Sequence, residues 1–455
     1  MRYYKPHAMM IIMIFFFLSF VGAASDPAPK DDAYHYMKNG VDDQLYNEMW
    51  RFNGADNETQ FMIAFLLSDP ENLTSSRKIQ VQAVVWQEDQ PPLQGSHQSR
   101  GYGGDRNSPM FEIDKSGFSS ELAPGQNLKV WGEVLDEITG EPIAWDLVYE
   151  PTVSPWFSIP IQPHIGHLNG DWMRWLVYMP SANVSGSITV GNRTLNISGT
   201  GYHDHFWGRF ALDDPEITWA QASVPEDNFS LAWGEILGEE RNAFLGIKKD
   251  GETHKFSAKQ IKINYTDFAF DNATAAIYPT GYNVSAENGE FILDLNVTVQ
   301  KSVPTIVDYP IPSPSHLAFQ QYSLLQGTLR SKSGEDYSFR SPGFSGFMTQ
   351  RLHPVFGRLN ISDSAAKAAN ITLTATNERT GQVKVARVAS NTFYSVDANY
   401  TDYLANSDAP WVADGDRVKL EMKLDMKRDM NESQERGNST VLSIDLSQDR
   451  QEANL

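Results

Sequence analysis

Apolar and polar residues alternate along much of the chain. Lys78–Trp86 sets Ile79, Val81, Ala83 and Val85 on one face. Leu128–Leu135, Trp172–Met179, Ser187–Ile197, Phe291–Val299, Ile371–Ala375 and Val418–Leu424 carry the same two-residue period. Bounded by Gly, Pro, Asn and Asp, such runs predict strands with one buried face. Thr139-Gly140, Gly191-Asn192, Asn288-Gly289, Ser333-Gly334 and Thr380-Gly381 lie between runs and predict hairpin turns. Helical signal is sparse, with one short capped helix predicted from Ser362-Asp363 ahead of Ala365–Ala369. Pro304–Pro314 holds four prolines and reads as a loop or a domain surface. Leu442, Ile444 and Leu446 alternate with polar residues, which takes a last strand to about residue 447. Many strands with tight turns predict an all-β chain of antiparallel sandwiches or barrels.

The first residues break the pattern. Met1–Ala8 carries Arg2 and Lys5, Met9–Phe20 is almost wholly apolar, and Val21-Gly22-Ala23-Ala24 offers small residues for cleavage. This is the layout of a secretory signal peptide over residues 1–24. The apolar run falls short of the ~20 residues of a membrane span, which favours cleavage and no stable span afterwards. Loss of Arg2 and Lys5 takes the net charge from −20 to −22.

Asn-x-Ser/Thr triplets agree. They start at Asn57, Asn72, Asn183, Asn192, Asn196, Asn228, Asn264, Asn272, Asn283, Asn296, Asn360, Asn370, Asn399, Asn431 and Asn438, and include more than half of all Asn. That density predicts N-linked glycans, a secreted or lumenal protein, and strand faces turned to water wherever a triplet falls.

Composition removes several functions. With no cysteine among 455 residues there is no disulfide scaffold, no thiolate metal site and no cysteine nucleophile. A net charge of −20 argues against nucleic acid as a partner. Hydrophobic residues at 41%, with 11 Trp, mark a globular chain, and the length suits two or three domains of ~100–200 residues. There is no phosphate-binding loop, dinucleotide fingerprint, His-Glu-x-x-His or Gly-x-Ser-x-Gly elbow, so no cofactor is expected. Gly343-Phe344-Ser345-Gly346 misses the last pattern by one place, and His164 and His167 read as loop residues ahead of a metal pair.

One stretch stands apart: Gly199-Thr200-Gly201-Tyr202-His203-Asp204-His205-Phe206-Trp207-Gly208. Extended, it sets His203, His205 and Trp207 on one face and Tyr202, Asp204 and Phe206 on the other. Three readings stand: a metal pair at His203 and His205, a strand end whose side chains satisfy buried groups, or acid–base chemistry beside an indole.

Tyr202–Gly208 resembles the Tyr-x-Asp-His-x-Trp-Gly signature of the hydroxyneurosporene synthase-like superfamily, which includes the fungal Diels–Alderases. Glu48–Phe52, Trp175–Pro180, Gly186, Trp219-Ala220-Gln221 and Leu231–Glu235 are similar in order and kind to the family's surrounding strands. The resemblance covers residues ~45–247 and is architectural beyond. It implies a β-sandwich over residues 25–247 and a lipocalin-like β-barrel over 248–447, with 448–455 as a frayed tail. An apolar pocket is expected at their junction.

The implied activity is a cofactor-independent pericyclase performing a Diels–Alder or hetero-Diels–Alder cycloaddition in fungal polyketide or terpenoid biosynthesis. The substrate would be a polyene or quinone methide, as in the joining of a tropolone quinone methide to a humulene-type sesquiterpene. His205 and Tyr202 are the implied donors, and Asp204 orients an imidazole or acts as base. Trp207, Trp50, Trp219 and Trp233 would wall the pocket with His203 beside them, and Trp411 would close it from the second lobe. The hydratases of the family share His205 and Trp207, but the Tyr-x-Asp expected near Leu231–Glu235 is missing here. A terpenoid hydratase or isomerase would need Glu235 or another acid in the pocket. A non-catalytic carrier would show the His/Asp pair turned away from the pocket, and a carbohydrate-active enzyme would need two facing carboxylates.

Overall fold

The computed structural model describes residues 27–36, 46–68, 78–99, 101–121, 126–163, 172–209, 216–237, 241–271, 276–307, 316–350, 355–358, 370–389, 393–396, 415–426, 434–443 and 451–452. The expected signal segment 1–24, the short helix at 362–369, His164, His167 and Trp411 lie outside them. The described residues form strands, three short 3-10 turns and no α-helix, so the chain is all-β.

The first strands are β1 (Tyr46–Ala55), β2 (Thr59–Ser68), β3 (Lys78–Gln87), β4 (Leu93–Ser99), β5 (Gly103–Gly104) and β6 (Met110–Ile113). They continue as β7 (Ser116–Ser119), β8 (Leu128–Leu135), β9 (Pro142–Pro151), β10 (Trp156–Pro163), β11 (Trp172–Val190) and β12 (Arg193–Arg209). Among the described residues these make one sheet in the order β4-β3-β2-β1-β12-β11-β9-β8-β7-β6-β5, with β10 beside β11. The sheet folds on itself. Trp50 and Phe52 of β1, Val81 of β3, Phe111 of β6, Leu128 of β8 and Leu147 of β9 share one core. Ile79, Val81, Ala83 and Val85 all point into it, as the alternation predicts. Each large apolar side chain buried this way contributes ~1.5–3 kcal/mol.

The second sheet holds β13 (Glu216–Val224), β14 (Phe229–Leu237), β15 (Arg241–Lys249), β16 (Glu252–Phe256) and β17 (Ile261–Asp271). It also holds β18 (Ala276–Glu287), β19 (Phe291–Val307), β20 (His316–Ser331) and β21 (Asp336–Gln350). The order is β16-β15-β14-β13-β21-β20-β19-β18-β17, a meander in which the last strand returns to the first. It curls around a core that includes Leu231, Trp233, Val284, Leu295 and Leu325, in the manner of a lipocalin-like barrel. A third, smaller sheet takes β22 (Val355–Arg358), β23 (Asn370–Asn377), β24 (Val383–Ala389), β25 (Phe393–Val396), β26 (Arg417–Met426), β27 (Gln434–Ser443) and β28 (Gln451–Glu452).

Three expectations shift. The first sheet closes at Arg209 and the second opens at Glu216, so the expected division at 247/248 lies inside β15. β14 is buried on both faces from Phe229 to Ile236, with Phe229, Leu231 and Trp233 in the barrel core and Ala232 and Ile236 at the junction. Gln451–Glu452, expected in a frayed tail, pairs in parallel with Val355–Phe356. Pro304 continues β19 and does not start a loop.

The five predicted turns are all found between consecutive strands. Gly191 at φ +56° and Gly140 at φ +72° adopt the left-handed backbone that such turns need. Every triplet Asn whose exposure is described, namely Asn57, Asn183, Asn192, Asn196, Asn228, Asn264, Asn283 and Asn296, is exposed. Asn370 and Asn438 fall in β23 and β27.

Candidate functional site

The glycine frame of the conspicuous stretch is steric. A Cβ at Gly199 would strike the carbonyl oxygen of Ala55, and one at Gly208 that of Trp172, because the flanking strands press close to β12. Within β12 the faces divide as alternation predicts. His203, His205 and Trp207 point into the sandwich interior, and Tyr202, Asp204 and Phe206 point toward the second sheet.

On the interior side the histidines meet carboxylates from elsewhere in the chain. His203 sets Nε2 2.9 Å from Asp32 Oδ2 and Nδ1 3.0 Å from the Arg51 carbonyl oxygen. His205 sets Nε2 3.0 Å from Glu48 Oε1 and Nδ1 3.4 Å from Asp32 Oδ1. Tyr46 Oη and the His35 backbone N–H donate to Glu48, both at 2.8 Å. Rings close the cluster, with His35 stacked on Trp207 at 4.0 Å and Trp50 stacked on His205 at 4.5 Å. Asp32, Glu48, His203 and His205 have no more than trace exposure. Burial alone would lower the His205 pKa, but Asp32 and Glu48 outweigh it and the net direction is up. Burial likewise opposes ionisation of Asp32, and the two imidazoles overcome it and bring its pKa down. Among the described residues no group of three His, Asp or Glu is placed to hold a metal ion.

On the other face Asp204 is the hub. Arg51 reaches it twice, Nε to Oδ1 at 3.1 Å and Nη2 to Oδ2 at 2.5 Å. Trp175 Nε1 and Tyr202 Oη each donate to Oδ2 at 2.9 Å. Burial opposes the Arg51 charge, Asp204 restores it, and the guanidinium pKa ends above its ordinary value. The guanidinium carbon lies 5.2 Å over the Trp219 ring.

Arg51, Trp175 and Trp219 line a cavity of about 90 Å³ between the first and second sheets. Its walls are otherwise mainly apolar, with Met49, Met62, Met173 and Met348, plus Phe206, Ile217, Ile236 and Phe244, and its remaining polar lining is Gln82 and Gln320. No Asp or Glu lines it among the described residues. Trp219 can lie flat because Gly346 is its cross-strand neighbour, where any Cβ would overlap the indole.

The expected site residues therefore separate. Trp219 lines the junction cavity, and Asp204 and Tyr202 pack behind Arg51 there. His203, His205, Trp207 and Trp50 belong to the sandwich interior, and Trp233 to the barrel core. Glu235 is buried against Arg241 at 2.5 Å and Tyr265 at 2.7 Å and does not line the cavity. Ser345 lies within β21, bonded to Ser323 at 2.6 Å and Gln321 at 2.9 Å, and forms no elbow. Sequence reasoning passed over Arg51, Trp175, Asp32 and Glu48. Alternation in Glu48–Phe52 already sets Met49 and Arg51 opposite Trp50, so Arg51 had a readable signal. Asp32 had none.

The fold and this site define an all-β protein with a folded sandwich sheet, a lipocalin-like barrel sheet and an apolar cavity between them. Among solved structures the chain is similar to a candidate AttH from Nitrosomonas europaea, with a TM-score of 0.53, 15% identity, and coverage of 72% of this chain and 97% of that one. At that identity the likeness establishes the fold alone. A second similar structure, CghA, has a TM-score of 0.46 and 12% identity over 72% of this chain and 96% of that one. No family model and no curated protein matches the chain.

Proposed function

We propose that the junction cavity binds a small, largely apolar, unsaturated substrate and promotes its cycloaddition without a cofactor. The observation that supports this reading is an apolar chamber with one guanidinium at its wall, fixed from behind by a fully buried carboxylate. Holding diene and dienophile in near-attack geometry supplies up to about 7–11 kcal/mol in favourable cases. A preorganised donor at Arg51, aimed at a carbonyl oxygen in a site of low polarity, lowers the barrier further. Arg51 thus replaces His205 as the donor, and Asp204 positions it. The resemblance of Tyr202–Gly208 to the fungal Diels–Alderases supports the same reading, with a polyene or tropolone-derived quinone methide as the finer choice. Passage through the secretory pathway with N-linked glycans fits the leader and the triplets.

The test is incubation of purified protein with polyene and quinone-methide precursors, followed by chiral product analysis. The expected result is enantio-enriched adduct above background, reduced roughly hundredfold in Arg51→Met. Racemic adduct at the uncatalysed rate overturns the reading. A carrier is the second reading, because both histidines are turned away from the cavity. It is favoured if substrate binds and no adduct forms.

A further inference from the structure

The cavity does not stand alone. An open, largely polar cleft of about 480 Å³ lies along the same junction. Strand faces run from one into the other. On β1 the face turned to the second sheet carries Met49, Arg51, Asn53 and Ala55, of which Met49 and Arg51 line the cavity and Ala55 lines the cleft. On β12 it passes from Phe206 at the cavity through Asp204 to Tyr202 at the cleft. On β20 Gln320 lines the cavity and Tyr322 the cleft.

Asn53 sits at the divide. Its cross-strand neighbours are Tyr202, which lines the cleft, and Met62, which lines the cavity. Its side chain is 1% exposed, yet neither Nδ2 nor Oδ1 has a hydrogen-bond partner. A buried amide with donor and acceptor both unmet costs stability and calls for a reason. The neighbouring Arg51 guanidinium is bonded to Asp204.

We propose that cavity and cleft are two ends of one site for an amphiphile, with Asn53 as the residue that selects its polar head. The apolar body lies against the methionines. The head presents a donor and an acceptor side by side, as an amide or an α-hydroxycarbonyl does, and pairs with both atoms of the Asn53 amide. A cavity of about 90 Å³ is smaller than the roughly 150 Å³ that admits a benzene, so the body must displace wall atoms. Met49, Met62, Met173 and Met348 suit that, because unbranched thioethers repack readily. This rests on the reading of the cavity as a ligand site and adds the class of ligand.

Decanamide and methyl nonanoate have equal numbers of heavy atoms and differ in the paired donor. Calorimetric titration of the full chain with each, in wild type, Asn53→Leu and Asn53→Ser, tests the proposal. Wild type is expected to prefer the amide about tenfold, as one or two net hydrogen bonds provide. In Asn53→Leu the preference falls to near unity while ester affinity holds, and the melting temperature of the ligand-free protein rises or stays level. Asn53→Ser, the milder change should Leu disturb folding, also loses most of the preference. Equal affinity for both probes in wild type, or a preference unchanged in both variants, overturns the role of Asn53 and leaves the cavity reading standing. Failure of both probes to bind wild type overturns both.

Discussion

At the scale of single residues, two carboxylates govern the two faces of β12. Asp204 accepts from Arg51, Trp175 and Tyr202 in full burial, so its charge is what keeps the guanidinium beneath the cavity wall. Asp204→Asn leaves a buried cation without its partner and is expected to cost roughly 3–5 kcal/mol in chemical denaturation. Tyr202→Phe removes one donor of several and is expected to cost only about 1–2 kcal/mol. Equal losses would contradict the central place given to the ion pair. Asp32 governs the interior face. The folded state holds the His205 proton more tightly than the ordinary value of 6.5, through Asp32 and Glu48 and against burial. That contribution is complete below 6.5 and is lost as pH climbs through the higher folded value. For Asp32 the direction is down from 3.8, so its contribution holds above 3.8 and is lost as pH falls through the lower folded value. Melting of wild type against His205→Gln, from about pH 5 to about pH 9, is expected to show a gap that narrows as pH rises. A gap of constant size would refute the coupling.

At the scale of elements, close backbone approach decides what a strand can carry. Gly346 faces Trp219 across β21 and β13, and the indole occupies the space a Cβ would need. Gly346→Ala therefore has to move Trp219, which lines the cavity and lies beneath Arg51. The expected outcome is weaker amphiphile binding by about tenfold, with a stability loss of about 1–3 kcal/mol from overpacking. Unchanged binding in titration would show that Trp219 does not shape the site. The strap of residues 27–36 is a different kind of element. It has almost no regular structure, yet it brings Asp32 to both histidines and stacks His35 on Trp207.

At the scale of the whole molecule, two sheets with separate cores meet along outer faces, and the cavity and cleft lie in that contact. Strands that each need an inner face for their own core have only the other face left for the junction. This is why β1 carries Trp50 and Phe52 inward and Met49 and Arg51 outward. With no cysteine to staple them, the sheets rest on non-covalent contacts, chiefly buried apolar area, and chains of this length bury enough for it.

Local sequence determined the strands and the faces of Tyr202–Gly208 through alternation, the hairpin turns through their glycine-containing pairs, and the exposure of the described asparagines through their triplets, because each is set by neighbours in sequence. The sequence could not say which interior each face would meet. His205 and Trp50 join the sandwich core, Trp233 joins the barrel, and Arg51 reaches the cavity. Those outcomes depend on contacts such as Asp32 with His203, 171 residues apart. Two-residue periodicity separates one side of a strand from the other, and only the packing of sheet on sheet decides which side becomes a core and which a site.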